Sequence, residues 1–457
     1  MPILKSLSIL LVFFCLSANA QKSEISGTAT EWAGKEIRLL IENDPITKTY
    51  REIDATSIAE DGSFKLTVDT NETLLLWISV KRFKSPIWVS PAQDYSISVI
   101  PNPENVLVDT WQNGSFQYAF LSLDSTDVNN VVADFDTQYY NFYLDNAQFI
   151  GTSQLRRNVH RFTEEFKLDS SIALIYNYQR YTLAEMKLSS GVKKSDLYNE
   201  YLNAQPLLLN NSAWYYFFNL FYADYFQAYD LKFGGATIAN RLKMGLPADS
   251  IDVLFAKDDF MKYEPIRQLV ILKSVSEVYS NAAYPIEKLR EIVRLIAQNP
   301  STPILGEVAG RLYAKMENTL IGSELTAISS NWEPEYISES DTLPTILMVS
   351  SEAIASEKEA LVLKSLHEKY SDFVHFAELR ISDVKNPVNR PWTVYHPKDK
   401  IQFLDFFNIY GFPHFIWVDG NGIIRENGIE KPSDGLETRM FRIKTDADNK
   451  NRIKIGQ

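Results

Sequence analysis

Between Ile25 and about Ile100 apolar and polar residues alternate in short runs, which is the two-residue period of half-buried strands. Residues 36–41, 63–68, 74–80 and 95–99 carry the clearest alternation. Turn residues separate the runs, notably Asp61-Gly62 ahead of Phe64 and Pro91-Ala92-Gln93-Asp94 ahead of Tyr95. Residues 21–108 are therefore expected to form a small antiparallel β-sandwich. From about Trp111 the period lengthens to that of helices: Ile286, Leu289, Val293 and Ile296 recur at intervals of three and four and share one helix face. Breakers at Pro206, Gly234-Gly235, Pro247, Pro265, Pro285 and 300–303 divide this stretch into several helices. With no fixed repeat that would identify a solenoid, residues 109–330 read as an irregular all-α domain.

After Ser330 strands and helices alternate. Strands are expected at 345–349, 373–379, 414–418 and 423–426, and helices at 352–370 and 399–410. This is an α/β unit over residues 331–445, followed by a polar tail at 446–457. Asp419-Gly420-Asn421-Gly422 between the last two strands is a strong hairpin signal. The chain as a whole reads as a multidomain α+β protein, and its 457 residues exceed what one core organises.

Residues 1–20 hold the parts of an export signal: Lys5, an apolar run over 7–16, and small residues at Ala18 and Ala20. Cleavage after Ala20 would leave Gln21 first. The competing reading makes Cys15 the lipidated residue of a lipoprotein, but Val12, Phe13 and Phe14 put bulky side chains where that peptidase needs small ones. No later segment approaches the roughly 20 apolar residues of a membrane helix, so a periplasmic or otherwise exported protein with no transmembrane segment is expected. Cys15 is the only cysteine, so the processed chain would have no thiol, and burial of apolar surface must supply its stability. The net charge of -12, or -13 without Lys5, argues against nucleic acid as a partner.

The N-terminal strands resemble, weakly, the β-domains of many exported Bacteroidota proteins, in which a turn with Asp-Gly precedes a Phe-rich strand. The C-terminal third has a closer likeness. Tyr410-Gly411-Phe412-Pro413-His414-Phe415-Ile416-Trp417-Val418-Asp419, with Gly420-Asn421-Gly422-Ile423 after it, resembles the TlpA-like thioredoxin proteins exported by Bacteroidota. The resemblance implies a thioredoxin-like α/β domain and makes Pro413 a cis-proline; the generic alternative is a loop proline before an edge strand. The family carries a Cys-x-x-Cys pair after its first strand. Aligned without a gap, Ala353 and Ser356 occupy the two cysteine positions, Glu359 falls on the family's glutamate, and Glu357 replaces its arginine. Thiol-disulfide exchange needs an attacking thiolate, so this activity is not expected. The resemblance also implies that Phe412, before the cis-proline, offers its backbone to a bound polypeptide, which needs no cysteine. A redox-inactive module that binds a peptide or protein is therefore expected, the alternative being a purely structural cap.

Other chemistry has less support. Ser356 as a nucleophile would need a base, with His367, His375, His396 and especially His414 as candidates. The helical region is rich in aromatics, and Trp214, Tyr215 and Tyr222 offer a surface on which a glycan could stack, as in a component of an uptake system. The three- and four-residue spacing of Trp214, Phe217, Phe218, Phe221 and Tyr225 is equally that of a core-facing stripe. Asp124, Asp127, Asp134 and Asp136 lack the glycine and final glutamate of a calcium loop. No zinc, phosphate-loop or nucleophile-elbow motif occurs, and no metal or cofactor is expected.

Overall fold

The computed structural model describes residues 21–100, 114–279, 281, 283–317, 322, 325, 343–351, 354–381, 389–397, 403–404, 407, 409 and 411–455, with backbone only at 230, 233 and 446–455. The expected signal and Cys15 lie outside these residues.

The alternating runs form β1 (Gln21–Thr28), β2 (Glu36–Asp44), β3 (Thr49–Ser57), β4 (Ser63–Thr70), β5 (Leu74–Val80), β6 (Phe83–Val89), β7 (Asp94–Ile100) and β8 (Gln117–Ser122). They make two sheets, ordered β4-β1-β7-β8 and β3-β2-β5-β6. Strand β1 lies antiparallel to β4 and parallel to β7. Alternate residues such as Ile25, Leu39, Leu66, Ile78 and Ile97 turn inward and form one core between the sheets. Gly62, at a φ of +84°, makes the turn before β4, and a Cβ there would meet Thr30 at 2.6 Å. The sandwich extends past the expected boundary at 108, because β8 pairs antiparallel with β7. Its signal is only six residues long, and Leu121 beside Phe120 breaks the alternation, so it merges with the aromatic helices that follow.

Helices then run as α1 (Val128–Asn146), α2 (Ser153–Glu165), α3 (Ala173–Ser189), α4 (Lys194–Tyr201), α5 (Ser212–Phe221), α6 (Tyr225–Phe233), α7 (Ile238–Lys243), α8 (Ser250–Phe255), α9 (Glu264–Val278), α10 (Ile286–Gln298) and α11 (Pro303–Glu317). Residues 265–275 of α9 are all buried, which makes it the centre of the domain. The buried charged groups of α9 find partners: Arg267 Nε donates to Asp252 at 2.7 Å, and Lys273 Nζ to the Tyr222 carbonyl at 3.1 Å, whereas the buried Ser274 hydroxyl has none among the described residues. The β2–β3 turn docks on this domain. Ile46 joins the helical core, Arg311 Nε donates to the buried Asp44 carboxylate at 2.7 Å, and Lys315 Nζ to the Thr47 carbonyl at 3.0 Å.

The C-terminal domain is built of β9 (Thr345–Ser350), α12 (Ile354–Tyr370), β10 (His375–Arg380), β11 (Thr393–Tyr395), β12 (His414–Val418), β13 (Ile424–Asn427) and α13 (Leu436–Ile455). The sheet order is β11-β10-β9-β12-β13, with β9, β10 and β11 mutually parallel and β12 antiparallel to β9. This is a thioredoxin-like α/β arrangement. Every residue of β9 is buried: Ile346 and Met348 pack with α12 and α13, while Leu347 and Val349 pack with Phe403 and Phe407 on the other face. The Gly422 N–H donates to the Asp419 carbonyl at 3.0 Å and closes the hairpin before β13. Residues 446–455 of the expected polar tail continue α13, which is started by the stripe Leu436, Met440, Ile443 on the sheet. One expectation is corrected. The loop after β10 contains β11, too short at three residues to carry a period. The helix expected at 399–410 falls mostly outside the described residues.

Candidate functional site

The candidate site lies where β9 ends and α12 begins, beside the loop that leads into β12. Ala353 is outside the described residues. Ser356 sits in the first turn of α12 with no exposed surface, and its Oγ accepts the Ser351 N–H at 3.2 Å. The hydroxyl thus holds the chain as it turns from strand to helix, and as a buried acceptor it is not offered to a substrate. Across the sheet, the Phe412–Pro413 peptide bond is cis. Phe412 is 7% exposed, with its side chain in the core beneath the sheet. Among the described residues, neither its N–H nor its C=O makes a hydrogen bond.

His414 follows as the first residue of β12, opposite Val349. Its Nε2 lies 2.6 Å from Asn427 Oδ1, while Asn427 Nδ2 donates to the Phe407 carbonyl at 2.7 Å. That second bond fixes the amide, so Asn427 Oδ1 is the acceptor and Nε2 carries the proton. Burial depresses the His414 pKa against the opposing pull of Asn427, so the ring is neutral and Nδ1 keeps its lone pair. His414 engages Asn427 rather than the Ser356 hydroxyl, which is occupied by Ser351. The pairing needed for a histidine-activated serine is therefore not formed.

A buried charge cluster on the α12 side of the sheet was not anticipated from the sequence. The Glu378 side chain is fully buried and accepts from Ser350 Oγ at 2.6 Å, from Arg380 Nε and Nη2 at 3.1 and 3.0 Å, from Trp392 Nε1 at 3.2 Å and from Arg390 Nε. Arg390 also reaches back to Glu357 on α12, at 2.6 Å. Burial pushes the Glu378 carboxyl up, but the donors from Arg390 and Ser350 and the charge of Arg380 outweigh it, and its pKa falls below the ordinary glutamate value. Glu357 thus takes a partner of opposite charge inside the domain, and Glu359 accepts the Ser433 N–H at 3.0 Å and the Ser433 hydroxyl at 2.5 Å. A signal existed: Glu378 and Arg380 share the face of β10 that carries Phe376, so two charges stand on an apolar face and require partners.

The aromatic surface expected at Trp214, Tyr215 and Tyr222 is corrected. Trp214 is 0% exposed and stacked on Phe218 at 5.2 Å, and Tyr222 is buried with its hydroxyl donating to the Phe260 carbonyl at 2.7 Å. Tyr215 is half-buried against the same core. Asn211, at the N-cap of α5, accepts the Trp214 N–H at 3.1 Å and turns the aromatic stripe inward. The acidic stretch caps and braces helices: Asp127 caps α1 and Asp136 accepts from the Tyr178 hydroxyl at 3.0 Å. Among the described residues no group of three or more His, Cys, Asp or Glu is arranged to hold a metal ion, and no helix is long and apolar enough to cross a membrane.

No protein-family profile matches the chain, and no curated protein sequence matches it. Solved structures do. A thioredoxin-like protein from Bacteroides caccae is 11% identical over 61% of this chain and 98% of its own, with a TM-score of 0.32. The thioredoxin domain of a thiol-disulfide oxidoreductase from Bacteroides vulgatus is 17% identical over 22% of this chain and 80% of its own, with a TM-score of 0.18.

Proposed function

We propose that this is an exported, redox-inactive thioredoxin-like protein whose C-terminal domain binds an extended segment of a peptide or protein across the Phe412–Pro413 loop. The observation that carries this reading is the backbone of Phe412, whose N–H and C=O make no hydrogen bond among the described residues although the residue stands at the entry to β12. An extended chain laid there would be held by main-chain hydrogen bonds, as in strand addition. The Nδ1 lone pair of a neutral His414 adds an acceptor on the same segment. Redox inactivity rests on the count of one cysteine, Cys15, and on a serine at position 356. Export rests on the character of residues 1–20.

The test uses unstructured peptides and their backbone N-methylated counterparts. Binding measured by fluorescence anisotropy is expected for the parent peptides and lost on N-methylation, because the contact is made by main-chain groups. Equal binding of both, or none, rejects the reading. An insulin-reduction assay is expected to give no activity, and turnover there would reject the redox part alone.

A further inference from the structure

We propose that Glu185 on α3 is the anionic end of a site that binds a primary alkylammonium group, the chemistry of a lysine side chain. Taking a carboxylate out of water is costly unless a cation compensates it. Four carboxylates are buried among the described residues: Asp44, Glu185, Asp258 and Glu378. Three of them have a cation, with Arg311 against Asp44, Lys232 against Asp258, and Arg380 and Arg390 against Glu378.

Glu185, 6% exposed, is held only by neutral hydroxyls. Tyr139 donates to its Oε2 at 2.8 Å and Ser189 to its Oε1 at 2.6 Å. Both oxygens are thus acceptors, each keeps a lone pair, and the charge stays uncompensated. Lys187, two residues along α3, is turned elsewhere: its Nζ donates to the Tyr201 hydroxyl at 3.1 Å and lies 3.7 Å from Glu200.

The surroundings suit an ammonium ion. Tyr139 and Tyr143 on α1 meet edge to face with ring centroids 5.0 Å apart, and both are half-buried. Burial and then the Glu185 charge push the Tyr143 hydroxyl up to about 12, and Tyr216 of α5, 59% exposed, adds to the rise. Tyr143 therefore lies beside the carboxylate and Tyr216 beside Tyr143. Ser189 is exposed, so the carboxylate sits just beneath the surface at the end of α3. Aromatic rings attract an ammonium group, and the free lone pairs of Glu185 accept its N–H donors. A quaternary ammonium ion has no N–H and would leave those lone pairs unmet, which selects the primary amine.

Isothermal titration calorimetry of the purified full chain with butylammonium chloride tests this. Saturable binding at a single site is expected, with amides of 139–143 and 185–189 exchanging more slowly in the complex. Tetramethylammonium, drawn to the surface equally by the net charge of -12, is expected to bind at least about tenfold more weakly. Glu185→Gln keeps acceptor capacity, loses the charge, and is expected to weaken butylammonium about ten- to a hundredfold, the worth of a hydrogen bond to a charged group. Tyr216→Ala, at an exposed position, is expected to weaken it about two- to fivefold with unchanged far-UV circular dichroism, and carries the test if Glu185→Gln does not fold. Binding of Nα-acetyl-lysine methylamide as tight as that of butylammonium would place the group on a polypeptide, and weaker binding on a free amine. No saturable binding at millimolar concentration overturns the proposal. So does equal binding of tetramethylammonium, or an affinity unchanged in the folded variants.

Discussion

Replacing Arg390 with methionine keeps most of the side-chain volume and removes the charge that joins Glu357 to Glu378. The Glu378 side chain has no exposed surface and Arg390 has 5%, so water does not replace the lost partner. Glu378 keeps Arg380, Ser350 and Trp392, but the cluster changes from two cations against two carboxylates to one against two. Removing one member of a buried ion pair destabilises by about 3–5 kcal/mol, because the desolvated charge left behind is no longer compensated. Hydrogen exchange read on β9 and β10 isolates this domain from the other two. At about 1.4 kcal/mol for each factor of ten, the slowest amides there are expected to exchange roughly 10²- to 10⁴-fold faster. Amides of the sandwich serve as an internal reference. A change below about 1 kcal/mol, the range of exposed pairs, would refute the reasoning, since it would mean that the cluster is solvated.

Four further outcomes are expected. Trp214→Ala should cost about 3–5 kcal/mol in urea denaturation of the helical domain, as for other buried aromatics, and leave any polysaccharide binding unchanged. Arg311→Met should separate the unfolding of the sandwich from that of the helical domain in calorimetry, because Asp44 would stay buried without its guanidinium partner. Acid should destabilise the C-terminal domain in two steps. The His414 pKa is lowered by burial, so stability falls once pH drops below the ordinary histidine value of about 6.5 and the unfolded chain takes up protons; His367, lowered by burial too, shares this step, and His414→Gln reduces it. Glu378, lowered by its donors, contributes stability above the ordinary glutamate value that is lost as pH falls through its folded pKa; Asp419 and Glu430, also lowered, share this second step, and Glu378→Gln reduces it. Finally, Ala353→Cys with Ser356→Cys should form a reversible disulfide by thiol titration, and thiols that stay reduced under oxidant would reject the alignment of these positions.

The sandwich and the α/β unit were legible because both faces of the pattern are local. Strands such as β4 alternate residue by residue, and β9 is an unbroken apolar run bounded by turn signals. What was missed is short or non-local. Strand β11 is three residues, and α13 runs on through a polar stretch in which only its first turns carry an apolar stripe. The Trp214 stripe was legible as a spacing, but only burial distinguishes a core from an exposed platform. The charge cluster joins residues 12 and 33 positions apart, a separation at which periodicity carries no information.

The same distances explain how the start of α12 is held in place. In a chain without cysteine at 353 and 356, no covalent bond can tie the start of α12, so that junction must be held by contacts that persist in water. Ser356 supplies one, by accepting the Ser351 N–H, and Arg390 supplies the other, by reaching Glu357 from the far side of β10. Both act inside the domain, and both leave the Phe412 backbone untouched. On the proposed function, stability and peptide binding rest on different residues, so Arg390→Met should lower stability without changing peptide affinity measured where the domain is still folded. Parallel loss of both would mean that the cluster itself shapes the binding edge.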